Sequence, residues 1–190
     1  MMTLAGKTAV VTGGSRGIGR AIVRRLAADG ARVVFSFRDD KAAADALARE
    51  IGDALAVRAD QEDLENLDAL FEPVDGGLDI LVNNAAITAP APGIALYCAS
   101  KAALEQFTKV AAYEFGRRGI TVNTVSPGAT DTDLLRAGNS PESLARATAL
   151  TALGRLGTPA DIADVVAFLA SPDARWITGQ NIQATGGLNF

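Results

Sequence analysis

Residues 8–19, TAVVTGGSRGIG, decide the fold. Residues 8–12 form a short run rich in β-branched apolar side chains, and a glycine-rich turn follows at once. From Gly17 onward the pattern is helical to about residue 29. A strand that runs through such a turn into a helix aims the first N–H groups of the helix at whatever lies over the turn. The positive end of the helix dipole points the same way, and proteins hold a dinucleotide pyrophosphate in this manner. The glycines divide the work. Gly13 permits the tight turn, Gly17 lets phosphate oxygens approach bare backbone, and Gly19 allows close packing of helix on strand. A glycine turn without a ligand is the weaker reading, because strand, turn and helix agree with one another.

Outward from this stretch the alternation continues. RVVFSF (32–37), ALAVRA (54–59), LDILVNNA (78–85), ITVNTVS (120–126) and NIQATGG (181–187) read as further strands. The first four of the six are nearly continuous apolar runs, as expected of parallel strands covered on both faces. Helices are expected at about 17–29, 39–51, 61–71 and 96–117, the last closed by Gly116 and Gly119. Another opens with Thr158 as N-cap, Pro159 in the first helical position and Asp161 near the positive helix end. Residues 131–157, with Gly138, Asn139, Ser140 and Pro141 at their centre, read as a mobile excursion beside a site. The expectation is a single α/β domain over residues 1–190. It would be a Rossmann-like, doubly wound parallel sheet of about six strands in a three-layer α/β/α sandwich with right-handed crossovers.

Composition bounds the function. The 190 residues are 48% hydrophobic and 21% charged, with a net charge of −4. That balance, with no basic stripe, argues against a nucleic-acid partner. No apolar run is long enough to span a membrane, and no signal-peptide pattern is present. The lone Cys98 excludes an internal disulfide and fits the cytoplasm. The absence of histidine removes histidine triads and leaves no metal site to expect.

Tyr97 and Lys101, in YCASK, stand four residues apart and so share one helical face. A free tyrosine titrates near pH ~10. An ammonium one turn away favours the phenolate and draws the pKa towards a range useful for acid–base work. The bland alternative is a half-buried aromatic beside a solvated lysine. About twenty positions beyond the glycines, where an NAD site commonly has a carboxylate for the ribose 2′-OH, this chain has Phe37 and then Arg38. A guanidinium suits a 2′-phosphate, and Arg16 adds a second cation, so NADP is expected over NAD. Asp39 and Asp40 stand against this, since either could pair with Arg38 or grip a ribose. Arg38 as a solvated turn residue is the other alternative. Asp60 suits either the adenine edge or the cap of the next helix.

These motifs together resemble the short-chain dehydrogenase/reductase family. The matching pieces are TGGSRGIG at 12–19, Asp60, NNAA at 83–86, YCASK at 97–101, Ser126-Pro127-Gly128, Thr132 and the closing TGQNIQATGG. The resemblance implies carbonyl reduction or alcohol oxidation with NAD(P)(H) on a small-molecule substrate, with Tyr97 as general acid/base and Lys101 on the nicotinamide ribose. It implies a cofactor site lined by Gly13, Ser15, Arg16, Gly17, Ile18, Gly19, Arg38, Asp60, Asn84, Lys101, Pro127, Gly128 and Thr132. Thr132 would reach the carboxamide, or else simply cap a helix near Asp133. Homo-oligomers are common in the family. The stripe Leu104, Phe107, Ala111 and Phe115 reads here as core before interface.

Between Asn84 and Tyr97 the chain is short. The family places a helix and a strand there, on the order of fifty residues with their loops. The family's catalytic asparagine and serine lie in that interval. No residue here takes their roles, and Thr88 is the only hydroxyl nearby. Asn83 and Asn84 read as braces of the strand end. The sheet is expected to close over the gap, the fourth strand pairing with the fifth; an open gap is the alternative. A cofactor-binding or assembly module with impaired or no turnover is the alternative function.

Overall fold

The computed structural model describes residues 3–60, 63, 68–74, 76–84 and 95–188, with the main chain alone for 95–98. Among these residues six strands and seven α-helices follow in the order β1 (Thr8–Val11), α1 (Gly17–Ala28), β2 (Arg32–Phe37), α2 (Lys41–Ile51), β3 (Ala54–Arg58), α3 (Asp68–Phe71), β4 (Ile80–Val82), α4 (Ala95–Phe115), β5 (Thr124–Pro127), α5 (Asp133–Ala137), α6 (Pro141–Leu150), α7 (Pro159–Ala170) and β6 (Asn181–Ala184). Every strand pair is parallel. The expected α/β fold of parallel strands flanked by helices is the fold observed.

Alternation along β1 builds two packed faces. Ala9 and Val11 join Ile22, Val23 and Leu26 of α1, Leu47 of α2 and Ala163 and Ala167 of α7 in one core. Val10 turns the other way and packs with Val34 and with Leu70 of α3. Burial on both faces holds for β1 and β2. At the flanks it fails: Leu55 of β3 is 43% exposed and Leu81 of β4 47%.

The sheet does not close. β3-β2-β1-β4 form one sheet and β5-β6 a second, and β4 pairs only with β1 among the described residues. The expected pairing of β4 with β5 is therefore corrected. The physical reason lies in α7, which packs on α1 through Ala163 and Ala167 and also against β5 and β6. Sliding the second sheet across by one strand spacing, ~4.8 Å, would undock that helix.

Two further expectations change. Residues 131–157 contain α5 and α6, each with a side-chain N-cap, Thr132 and Ser140. Of the stripe on α4, Ala111 is buried, but Leu104, Phe107 and Phe115 are exposed. Most of the expected 61–71 helix, the proline-rich stretch 89–93 and Thr88 lie outside the described residues.

Candidate dinucleotide site at the β1–α1 turn

Gly13 (φ 64°) and Gly17 (φ 54°) both adopt the left-handed backbone that favours glycine. The turn hangs on β2: Gly13 N donates to Ser36 Oγ at 3.0 Å, and Gly14 N donates to the Ser36 carbonyl at 2.9 Å. A Cβ at Gly14 would lie 2.6 Å from Phe35 Cβ, so it is Gly14 that seats the turn on the sheet. At Gly19 a Cβ would overlap the Gly13 carbonyl and come within 2.5 Å of Asn84 Nδ2.

Asn84 is the turn's brace from the β4 side. Its backbone N donates to Thr12 Oγ1 at 3.0 Å, and its Nδ2 donates to the carbonyls of Thr12 (3.0 Å) and Gly13 (3.2 Å). Asn83 makes no such bond among the described residues. The brace occupies the Asn84 side chain, leaving the start of α1 to face outward. There the N-cap residue Arg16 gives no side-chain cap, and no carboxylate stands in the first turn. At Gly17 a Cβ would meet nothing nearer among the described residues than Thr132 Cγ2, at 3.7 Å. Bare backbone, uncapped N–H groups and a first turn without a carboxylate make a cradle that fits a diphosphate. Ser15 is buried within the turn, and Ile18 packs on the core.

Around this cradle the remaining residues are arranged by the strand ends. Arg38, just past β2, donates from Nε to Asp39 Oδ2 at 2.8 Å; both side chains are more than half exposed. Asp40 is committed elsewhere, accepting from Ala43 N at 2.9 Å as the cap of α2. Arg58, at the end of β3, donates to the Arg38 carbonyl at 3.3 Å. Asp60 follows β3, and its carbonyl accepts from Asp63 N. Thr132 Oγ1 accepts from Leu135 N at 3.2 Å, capping α5 while standing beside Gly17. Pro127 ends β5, and at Gly128 a Cβ would lie 2.8 Å from Thr185 Cα, so β5 and β6 leave the sheet in contact.

Tyr97 and Lys101 lie in the first half of one helix, α4, four residues apart. Lys101 is exposed; the Tyr97 side chain lies outside the described residues. The structure thus joins Gly13, Gly19 and Asn84 directly and sets Thr132 against Gly17. A cavity of about 200 Å³ opens beyond Gly128, lined by Thr130, Arg155, Gly157, Asp161 and Thr185. A larger one, about 710 Å³, lies at the far end of α4 beside Gly179 and Gln180, before β6 begins. Its place is opposite the carboxyl ends of the strands, where ligands of such sheets bind. Sequence reasoning passed over Ser36, Gly14 and Arg58. Ser36 had a signal: a lone hydroxyl inside an otherwise apolar run, buried with a specific partner.

Known proteins share this arrangement. A short chain dehydrogenase model matches residues 7–92, and an enoyl-(acyl carrier protein) reductase model matches residues 88–189. An uncharacterised oxidoreductase of Methylorubrum extorquens is 37% identical, across 99% of this chain and 100% of that protein. A 3-oxoacyl-[acyl-carrier-protein] reductase of Vibrio harveyi is 33% identical, across 98% and 99%. The crystal structure of a blue fluorescent protein from a metagenomic library, in complex with NADPH, superposes with a TM-score of 0.91 at 35% identity, across 99% and 100%. The Methylorubrum alignment runs over 247 positions against 190 residues here, so about sixty positions inside it have no counterpart in this chain. The two family models meet at residues 88–92, the place where the sequence is short. With both models matched and relatives aligned over nearly their whole length, this chain belongs to the short-chain dehydrogenase/reductase family of oxidoreductases.

Proposed function

We propose that the chain binds NADP(H) over the β1–α1 turn and interconverts a small-molecule carbonyl and alcohol, working in the cytoplasm as one domain over residues 1–190. The observation that carries this is the uncapped start of α1 beside Gly17, where among the described residues only Thr132 Cγ2 comes near the place a Cβ would take. The NADPH complex of the metagenomic relative supports the choice of cofactor. When bound, the nicotinamide supplies the hydride chemistry. The chain's own residues do the rest. First-turn N–H groups hold the diphosphate, Arg38 and Arg16 meet the 2′-phosphate, and Thr132 closes the other side. Lys101 favours the Tyr97 phenolate, so that Tyr97 can give and take the proton at its hydroxyl.

A second reading has its own support. About sixty positions of the relatives have no counterpart here, and none of the residues present replaces the family's serine or asparagine. Loss of one oxyanion-type donor costs ~10² to 10³ in rate. A displacement of ~1 Å costs ~10² more. Cofactor binding is therefore expected to outlast turnover. Titration of NADPH fluorescence, followed by a panel of ketones with the parent chain and Tyr97→Phe, separates the readings. Binding with turnover that vanishes in Tyr97→Phe supports the enzyme. Binding with no turnover supports the module, and no binding overturns both.

A further inference from the structure

The carboxyl ends of β1, β2 and β3 stand side by side, since the first sheet runs β3-β2-β1-β4. A diphosphate on the β1–α1 turn puts the adenosine ribose of a dinucleotide over the end of β2. The next strand end, about 4.8 Å further on, is that of β3. Its last residue is Arg58, in register with Phe37 and therefore on the same face of the sheet. Nε of Arg58 donates to the Arg38 carbonyl at 3.3 Å, which anchors this guanidinium at the turn leaving β2. Arg58 is exposed, and the terminal nitrogens of its fork have no partner among the described residues. Two carboxylates stand at the same turn, and both are committed elsewhere. Asp39 holds Nε of Arg38 at 2.8 Å, and Asp40 accepts from Ala43 N at the start of α2. Arg38 thus meets a phosphate only in competition with Asp39, whereas Arg58 has no such competitor among the described residues.

We infer that Arg58 is a further determinant of dinucleotide choice. Its terminal nitrogens meet the 2′-phosphate of NADP(H) beside Arg38, while its Nε keeps the fork in place on the Arg38 carbonyl. A planar guanidinium binds a phosphate through two parallel N–H groups, and the bond to Arg38 orients it in advance. NADH carries a hydroxyl at that position and gains no charge-assisted bond. The inference rests on the cofactor reading given above and adds to it a residue from β3. The plainer role for Arg58 is cover, its stem lying on the face of the buried Phe37. Substitution separates the two roles. Methionine keeps an apolar stem and drops the charge, and lysine keeps the charge and drops the fork.

The test is calorimetric binding to the whole chain of NADPH, NADH and two simpler probes, adenosine 2′,5′-bisphosphate and adenosine 5′-monophosphate. Arg58→Met is expected to weaken NADPH and the bisphosphate about tenfold. It should leave NADH, the monophosphate and the melting temperature as in the parent. Arg58→Lys should recover part of the lost affinity for NADPH. Phosphorus NMR of the bound bisphosphate gives a second readout. A cation beside the 2′-phosphate favours its dianion, so that resonance should titrate at higher pH in Arg58→Met than in the parent. Three results overturn the inference: Arg58→Met binding NADPH like the parent, an equal loss of NADH, or a 2′-phosphate that titrates alike in both chains. A parent that binds neither dinucleotide, or binds NADH the tighter, overturns the proposed function as well. A parent that prefers NADPH beside an unaltered Arg58→Met overturns this inference alone.

Discussion

Two glycines of one turn make opposite demands, and that difference is measurable. Gly19 has no room for a side chain, since a Cβ there would strike the Gly13 carbonyl and the Asn84 amide. Gly19→Ala is expected to destabilise the chain by about 1–3 kcal/mol through overpacking, and to abolish NADPH binding as the brace shifts. Gly17 has room but a strained backbone at φ 54°. Gly17→Ala is expected to cost only about 1–2 kcal/mol in the fold, while its methyl group stands where the diphosphate would approach. Melting curves and NADPH titration should show one variant losing both properties and the other mainly affinity. If Gly17→Ala binds NADPH like the parent, the turn is not the cofactor cradle. Arg38 is the matching test for the choice of dinucleotide. Its guanidinium is held by Asp39, so a 2′-phosphate has to compete with that carboxylate. Charge-assisted hydrogen bonds are worth roughly 1.5–3 kcal/mol, so Arg38→Ala should weaken NADPH about ten- to a hundredfold and leave NADH nearly unchanged. Asp39→Ala should tighten NADPH.

At the scale of elements, what was legible depended on whether a local signal had one meaning. Thr158, Pro159 and Asp161 did, and α7 starts there with a reciprocal capping box. Ser140-Pro141-Glu142 carries the same kind of start signal for α6, but between Gly138 and Asn139 and a mixed stretch it reads equally as loop. Asp40 was open between the ribose and Arg38, and it takes neither place: it accepts from the backbone N–H of Ala43 as the cap of α2. The start of α7 also carries a pH dependence. Two N–H groups of Arg155 donate to the Asp161 carboxylate at 2.7 and 2.9 Å, and Thr158 adds its backbone N–H and hydroxyl. Arg155 first, then Thr158, holds this carboxyl well below the ordinary carboxylate range. The folded pKa lies under the unfolded value of ~3.9. The stabilisation is therefore complete above about pH 5 and drains away as the solution is acidified through the folded value. Asp161→Asn is expected to lose about 1 kcal/mol at pH 7, a fall of about 2–4 °C in melting temperature. The gap between variant and parent should narrow as pH falls from 5 towards 2. A gap that stays constant would mean that Asp161 contributes by shape and not by charge.

Across the whole molecule the order of elements was readable and the closure of the sheet was not. Apolar runs and turn residues are local, and they announce strands such as Arg32–Phe37 without reference to anything distant. Whether β4 meets β5 is decided by a third party, α7, whose buried Ala163 and Ala167 lie against α1 while its other contacts hold β5 and β6. Nothing in residues 78–85 or 120–126 encodes that. Arg25 of α1 strengthens the link with an ion pair to Asp164 of α7. Because β4 and β5 share no ladder, this helix-on-helix contact is the main mechanical connection between the two sheets among the described residues. A cooperative molecule then depends on it. Ala167→Asp puts a carboxylate at a position 2% exposed, among apolar neighbours. Such a group is expected to cost roughly 3 kcal/mol or more in that setting. The cost should fall on the junction. The parent chain is expected to unfold in urea in one transition, seen alike by far-ultraviolet circular dichroism and by pulsed hydrogen exchange at the amides of Thr124–Ser126 in β5 and Asn181–Ala184 in β6. In Ala167→Asp the hydrogen-exchange transition of β5 and β6 should move to lower urea than the circular dichroism transition, as the second sheet comes away while β1–β4 hold. Coincident transitions in the variant would show that the sheets are joined by contacts other than α7.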